Sequence, residues 1–292
     1  MRRRRRFPTR RLLTPDSVLA VSPTKLSFRP DIQGLRAIAV VLVVLAHTGV
    51  AGFAGGYVGV DVFFVLSGYL STGLLLEERI ATGTIRYGQF LARRLRRLLP
   101  AMLAMLLIVL VISTIFLTHF EMRQQSRSFP FAAAWISNFF FAFAERDYFL
   151  ALQDHDLFLH TWSLGVEEQF YLFWPWLVLL FASLKTKVAD RQSQGRVVVA
   201  AFAIVLVASL VLSIYLSKIF PLLAFYMMPS RVWQFALGSA VYASMHVAFD
   251  WRAETTGATG QLVAWIAGLI GAALVIASGM LLSADIVYPG WY

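Results

Sequence analysis

The chain of 292 residues is 59% hydrophobic and 14% charged, with a mean hydropathy of +0.68. This composition excludes an ordinary soluble domain, which could not bury so much apolar surface. The absence of cysteine excludes a disulfide framework, a thiolate nucleophile and a cysteine-ligated metal. The net charge of +10 comes mainly from arginine clusters beside apolar segments, which is typical of membrane topology and does not indicate nucleic-acid binding.

The first arginine cluster lies within residues 1–27. The first apolar run begins only near Gly34, too far into the chain for a secretory signal peptide. We therefore predict a basic, disordered cytoplasmic tail over 1–27 that contacts anionic membrane lipids. A membrane domain is predicted over 28–292.

Apolar stretches long enough to cross hydrocarbon recur along the membrane domain, whereas a membrane β-barrel would alternate with a period of two. We predict an all-α fold, a polytopic helical membrane bundle with about seven spanning helices. The predicted spans lie at about 33–52, 57–76, 98–118, 161–184, 197–217, 230–249 and 261–283.

A shorter apolar and aromatic stretch lies at 129–145. If it crossed fully, the basic loop at 185–196 would lie outside, while the acidic loop with Asp147, Asp154 and Asp156 would lie inside. Because that inverts the positive-inside rule, we predict a short re-entrant or interfacial helix over 129–145. The N-terminus is then cytoplasmic and the chain ends outside.

The first predicted span contains two ionisable residues, Arg36 and His47. In a helix they are separated by three turns plus about 20° and by about 16 Å of rise, so they lie on one stripe. Ionisable groups in hydrocarbon normally face a polar cavity or a partner. Two interpretations stay open: a functional pair, or an Arg36 that snorkels to the interface with a His47 that hydrogen-bonds a neighbouring helix.

Two further spans place polar groups at comparable depth. The second contains Asp61 and Ser67, and the fourth begins near Trp162 and contains Glu167 and Glu168. The two glutamates need partners, whereas Asp61 could lie at the outer interface. Ser67 lacks the Gly-x-Ser-x-Gly context of a nucleophile elbow, which favours a role in helix packing.

The third span is preceded by Arg93, Arg94, Arg96 and Arg97. Guanidinium groups at this density suit phosphate binding. Alternatively, each of these arginines only keeps this end of the span on the cytoplasmic side of the membrane. No metal site is predicted, because the loop with Asp156 and His160 shows no ligand spacing.

Taken in order, these motifs resemble the acyltransferase 3 family of membrane-bound O-acyltransferases, which acetylate bacterial surface polysaccharides. The resemblance runs from about Phe28 to the C-terminus. It is closest to the subgroup that often has a soluble SGNH-type domain after the membrane part. The segments that carry it read RPDIQGLRAIAVVLVVLAH, GGYVGVDVFFVLSGYL, RRLRRLLPA and HTWSLGVEEQFYLFWP.

A fifth segment, MPSRVWQFALGSAV, places Arg231 in register with the family. It departs at Gln234, where the subgroup usually has Glu. The family also has more membrane helices than the seven predicted here. We therefore expect the chain to be incomplete at its C-terminus and to lack the SGNH-type domain.

The resemblance implies transfer of an acetyl or similar acyl group from acyl-CoA to a hydroxyl of a cell-envelope carbohydrate or lipid-linked glycan. Acyl-CoA is the donor substrate and no cofactor is implied. The expected location is the bacterial plasma (inner) membrane.

The resemblance also assigns site residues. His47 would remove a proton from the acceptor hydroxyl or carry the acyl group. Arg36 would bind a phosphate or carboxylate, and Glu167 would orient or charge-balance a histidine or an arginine. The candidate substrate-binding residues are Arg93 and Arg97 for the CoA phosphates, together with Asp61, Ser67, Trp162, Tyr171 and Arg231.

Two alternatives stay open. In a transporter, Arg36, His47, Asp61 and Glu167 would line a proton or solute path, although the sequence lacks the internal repeats and paired interrupted helices that transporters often show. The other alternative is an inactive remnant that acts as an assembly or lipid-anchoring partner.

Overall fold

The computed structural model describes residues 29–143, 156–183, 191–248 and 257–282. The predicted tail over 1–27 and the acidic residues Asp147 and Asp154 lie outside these ranges. Every regular element in the described ranges is helical, which confirms the all-α prediction. The α-helices are α1 (Pro30–His47), α2 (Val58–Thr82), α3 (Tyr87–Phe116), α4 (His119–Ala133), α5 (Ser137–Phe143), α6 (Trp162–Ser183), α7 (Arg191–Ile219), α8 (Pro221–Tyr226), α9 (Val232–Ala243) and α10 (Ala258–Leu281).

Among the described residues, five helical segments are long and apolar enough to cross a membrane. They match five of the seven predicted spans and confirm a polytopic helical membrane bundle. The other two predicted spans correspond to α6, whose apolar run is interrupted by Glu167 and Glu168, and to α9. Helix α9 has 12 residues and continues directly into a π-helical segment, Ser244–Ala248, so the helical run covers most of the predicted span at 230–249. The five segments are Pro30–His47, Ala54–Thr82, Tyr87–Phe116, Gly195–Ile219 and Thr259–Leu281.

Helix α3 begins about three turns before the predicted span at 98–118. The arginine cluster is therefore part of the helix and not of a loop, which agrees with the good helix propensity of arginine. As a result, successive arginines point to different sides of α3 at 100° intervals.

The segment at 129–145, predicted as one short helix, contains the end of α4 and the whole of α5. The break lies at Trp135, which has a left-handed φ of 57° and closes a Schellman motif at the end of α4. Helix α5 is held by buried polar contacts: Asn138 donates to the Tyr226 carbonyl (3.2 Å) and accepts from Gln169 of α6 (2.8 Å). The segment is therefore anchored inside the bundle through α6 and α8.

Helices α2 and α9 cross at two glycines. A Cβ on Gly68 would lie 2.0 Å from the carbonyl oxygen of Phe235, and one on Gly238 would lie 1.9 Å from that of Val65. Any larger residue would force the two backbones apart, as at other close crossings of membrane helices.

Helix α6 packs against the α2–α9 pair through aromatic rings. Phe235 of α9 stacks between Phe64 and Phe170, with ring centroids 4.7 and 4.1 Å away. The indole of Trp174 donates to the buried hydroxyl of Thr72 at 2.7 Å. These contacts fix α6 beside α2 and bring polar side chains of the two helices together.

Candidate active site

A pocket of about 460 Å³, including the space at its mouth, lies between α1, α2, α3 and α6. It contains half of the residues predicted for the site. Its apolar lining is Phe63, Leu66, Leu70 and Leu98, and its polar lining is Arg36, Ser67, Arg94, Arg97, Glu167 and Tyr171.

The centre of the pocket is a hydroxyl–carboxylate–hydroxyl cluster. Ser67 Oγ donates to Glu167 Oε1 at 2.5 Å. The Tyr171 hydroxyl donates to the same oxygen and lies 3.3 Å from Ser67 Oγ. Glu167 and Tyr171 share a face of α6 because they are four residues apart. A hydroxyl that donates to a carboxylate, with a third group holding that carboxylate, has the arrangement of an activated nucleophile.

Three guanidinium groups surround this cluster. Arg36 lies over the ring of Phe63 at 6.0 Å. Arg94 lies 4.7 Å above the ring of Tyr171 and donates to Ser71 at 3.1 Å. Arg97 completes the lining. The pocket therefore offers fixed positive charge, which suits phosphates and developing oxyanions.

Arg93, predicted to bind substrate, is directed elsewhere. Its Nη2 lies 3.7 Å from a carboxylate oxygen of the buried Glu78, and the Nε of Arg86 lies 3.8 Å from the other oxygen. Arg93 is not part of the pocket lining. This ion pair ties the end of α2 to the start of α3 and so helps to position Arg94 and Arg97.

His47 is the last residue of α1, about three turns beyond Arg36, and it is not part of the pocket lining. Its ring meets that of His160 edge-on, with centroids 4.4 Å apart. The Nδ1 of His47 lies 2.7 Å from the Val43 carbonyl oxygen. Desolvation and the charge effect of His47 lower the pKa of His160 to about 4, although part of the residue stays exposed. His160 is therefore neutral at pH 7.

Three other predicted site residues, Asp61, Trp162 and Arg231, form a separate cluster. Arg231 is 1% exposed, lies 3.5 Å from Asp61 and donates through Nε to the Phe225 carbonyl at 2.9 Å. Its guanidinium lies 5.5 Å from the ring of Trp162. Gln234, which departs from the family pattern, donates to Asp61 at 2.5 Å. This group joins α2, α6 and α9 away from the pocket.

Sequence reasoning placed Arg94 in the arginine cluster suited to phosphate binding but not among the site residues, and it assigned no role to Glu78 or His160. Arg94 had a signal, because it follows Phe90 by four residues and lies on the buried face of α3. His160 belongs to the HTWSLGVEEQFYLFWP segment, but its neighbours suggested an exposed loop. The contact of Glu78 with two arginines had no local signal beyond its place in an apolar helix.

The described residues define a polytopic helical membrane protein with a polar, arginine-lined pocket inside the bundle. The acyltransferase domain of the acyltransferase 3 family matches residues 29–292. The chain therefore belongs to this family, as the sequence motifs predicted.

Named relatives are bacterial O-acetyltransferases. The peptidoglycan O-acetyltransferase OatA of Listeria monocytogenes is 40% identical over 153 residues, 52% of this chain and 24% of that protein. The O-acetyltransferase OatA of Staphylococcus aureus is 40% identical over 154 residues, 53% of this chain and 25% of that protein. The chain spans about a quarter of the length of these curated relatives. No solved structure matches it.

Proposed function

We propose that this chain is a membrane O-acyltransferase that moves an acetyl or similar acyl group from acyl-CoA to a hydroxyl of a cell-envelope carbohydrate. The observation that carries the proposal is the convergence of Arg36, Arg94 and Arg97 on the Ser67–Glu167–Tyr171 cluster in one pocket. Family membership supports the reaction class. The names of the two relatives support acetyl as the acyl group and peptidoglycan as one candidate acceptor.

The arginines are suited to hold the donor. CoA has phosphate groups at one end and its thioester at the other, and guanidinium groups bind phosphate oxygens through paired, charge-assisted hydrogen bonds. The arginine-rich start of α3 favours the cytoplasmic side by the positive-inside rule. We therefore place the donor entrance on the cytoplasmic side of a bacterial inner membrane.

His47 and His160, the histidine pair, are suited to meet the acceptor hydroxyl. His47 lies about 16 Å along α1 from Arg36, and imidazole is the side chain best matched to remove a proton from a hydroxyl near neutral pH. In this proposal, the acceptor hydroxyl meets His47 and His160 on the side opposite the donor entrance. The lipid-linked or polymeric glycan thus stays outside.

The test uses sealed inverted membrane vesicles that contain the full gene product, supplied with radiolabelled acetyl-CoA. We expect label in alkali-labile esters of the glycan fraction, together with release of free CoA. Arg97→Ala should raise KM for acetyl-CoA about 10- to 100-fold, because one charge-assisted contact contributes about 1.5–3 kcal/mol. Arg96→Ala is the matched control, since Arg96 is exposed on the same helix and lies outside the pocket lining.

Uptake of a solute without covalent transfer of label would contradict the proposal and favour the transporter alternative. Equal KM values for the Arg97 and Arg96 variants would contradict the placement of the donor in this pocket.

A further inference from the structure

We propose that Ser67 is a nucleophile that carries the acyl group as a covalent ester between the donor and the acceptor. This inference rests on the proposed acyl-CoA donor and adds an intermediate that the transfer itself does not require. It changes the expectation for Ser67, which the sequence favoured as a helix-packing residue.

The first support is the hydrogen bond that the serine makes. Ser67 Oγ donates to Glu167 Oε1 at 2.5 Å, so its proton already points at a carboxylate. Tyr171 donates to the same carboxylate oxygen and holds it in place. A nucleophile, its base and a group that orients the base are thus within hydrogen-bond reach, which is the geometry that activates serine hydroxyls in enzymes.

The second support is access. Ser67 and Glu167 are only partly buried and both line the pocket, so a thioester that enters there can reach the hydroxyl. Arg36 and Arg94 line the same pocket and can stabilise the negative oxygen that develops when the carbonyl is attacked.

The third support is rigidity of the segment that holds the serine. The next residue, Gly68, lies against the backbone of Phe235 with no room for a side chain. One turn further on, Thr72 donates to Ser239 of α9 at 2.7 Å. A nucleophile on a helix fixed in this way needs little reorganisation before reaction.

The fourth support is the position of Ser67 along the bundle. Ser67 contacts Glu167. Glu167 follows His160 by seven residues, so the two lie about 10 Å apart along the helix axis. The ester would thus form between the arginines that bind the donor and the histidine pair proposed to meet the acceptor.

The reaction balances in two steps. In the first, Ser67 Oγ attacks the thioester carbonyl carbon, the new C–O bond forms and the C–S bond breaks. The serine proton passes to Glu167 and then to the departing sulfur, so CoA leaves as a thiol. In the second, the acceptor oxygen attacks the ester carbonyl carbon, the new C–O bond forms and the C–O bond to Ser67 breaks. His47 removes the acceptor proton and releases it, while Ser67 Oγ takes up one proton in exchange, which regenerates the enzyme.

The direct experiment incubates the full chain in proteoliposomes with radiolabelled acetyl-CoA and no acceptor, followed by an acid quench. We expect up to one acetyl group per chain, located by peptide mass spectrometry on Ser67, and loss of this label when acceptor glycan is added. Ser67→Ala should abolish the label and lower transfer about 100-fold or more. Ser126→Ala is the control, since Ser126 is exposed on α4, donates to the nearby Arg123 carbonyl and is not part of the pocket lining.

Ser67→Cys keeps the proposal testable if the alanine variant fails to fold. A cysteine nucleophile forms a thioester, which neutral hydroxylamine cleaves, whereas the serine ester needs alkaline hydroxylamine. We expect the acetyl group on the introduced thiol of this variant to show the thioester lability. Glu167→Gln should slow formation of the ester about 100-fold by removing the base.

Transfer to acceptor with no labelled Ser67, or unchanged transfer by Ser67→Ala, would overturn the intermediate and leave the proposed function intact. Failure of the unaltered chain both to accept label and to transfer it would overturn the proposed function as well.

Discussion

The imidazole of His47 is held in one tautomer by its own helix. Nδ1 lies 2.7 Å from the Val43 carbonyl oxygen, and because a carbonyl can only accept, Nδ1 carries the hydrogen. In the neutral ring, Nε2 then has the basic lone pair. The ring of His160 packs edge-on against this imidazole and limits its rotation. The arrangement suits a base whose reactive nitrogen has a defined direction.

Replacement of His47 tests this role at the residue scale. His47→Ala should insert and fold normally, because the residue ends α1 and is only partly buried, yet it should lower acyl transfer about 100-fold or more. His119→Ala, at an exposed position of α4, should leave the rate unchanged. The measurement is ester-linked acetate in surface glycan, normalised to membrane protein. Equal incorporation by the two variants would contradict the assignment.

At the scale of the elements, the α2–α9 crossing determines where Ser67 lies. Gly238 touches the backbone of Val65, two residues before the serine. Backbone atoms cannot move aside as a flexible side chain can, so any added carbon must shift a whole helix. The position of the serine relative to Glu167 on α6 therefore depends on a glycine of a third helix.

Gly238→Ala should consequently lower both stability and activity. We expect a loss of about 1–3 kcal/mol or more from overpacking, seen as a lower melting temperature in detergent. Gly268→Ala in α10 is the matched control, because a Cβ there meets no atom within 4 Å. If both variants melt at the same temperature, the crossing is not as tight as described.

At the scale of the whole molecule, the pocket and the histidine pair are separated along α1. The three pocket arginines adjoin Ser67 and Glu167, and the histidine pair lies at the far end of α1. With 25 residues, α2 is long enough to cross hydrocarbon. The loops before and after it therefore lie on opposite sides of the membrane, with the arginine-rich side predicted to be cytoplasmic.

The lack of native cysteine makes this orientation simple to measure. Thr84→Cys, in the turn before the arginine cluster, should react with a membrane-impermeant maleimide only in inverted vesicles. Ala51→Cys, in the loop before α2, should react in intact spheroplasts. Both positions are exposed, so the two variants control for each other. The reverse pattern would invert the topology and move the donor pocket to the outer side.

Hydropathy and helical period by themselves determined the fold class and the approximate positions of the long helices, although not their exact limits. These are local quantities, since a run of about 20 apolar residues crosses a membrane whatever its neighbours are. The same local geometry predicted that Arg36 and His47 share a stripe of α1. Family motifs added the candidate residues.

Tertiary structure decided which of those residues meet. Arg93 and Arg94 are adjacent in sequence, yet one pairs with Glu78 and the other enters the pocket, because the side that α3 presents depends on how it packs on α2 and α6. Ser67 and its carboxylate are 100 residues apart, and only the packing of α6 beside α2 joins them. Spacing fixes angles around one helix axis, whereas the contacts of a site depend on the relative placement of several axes.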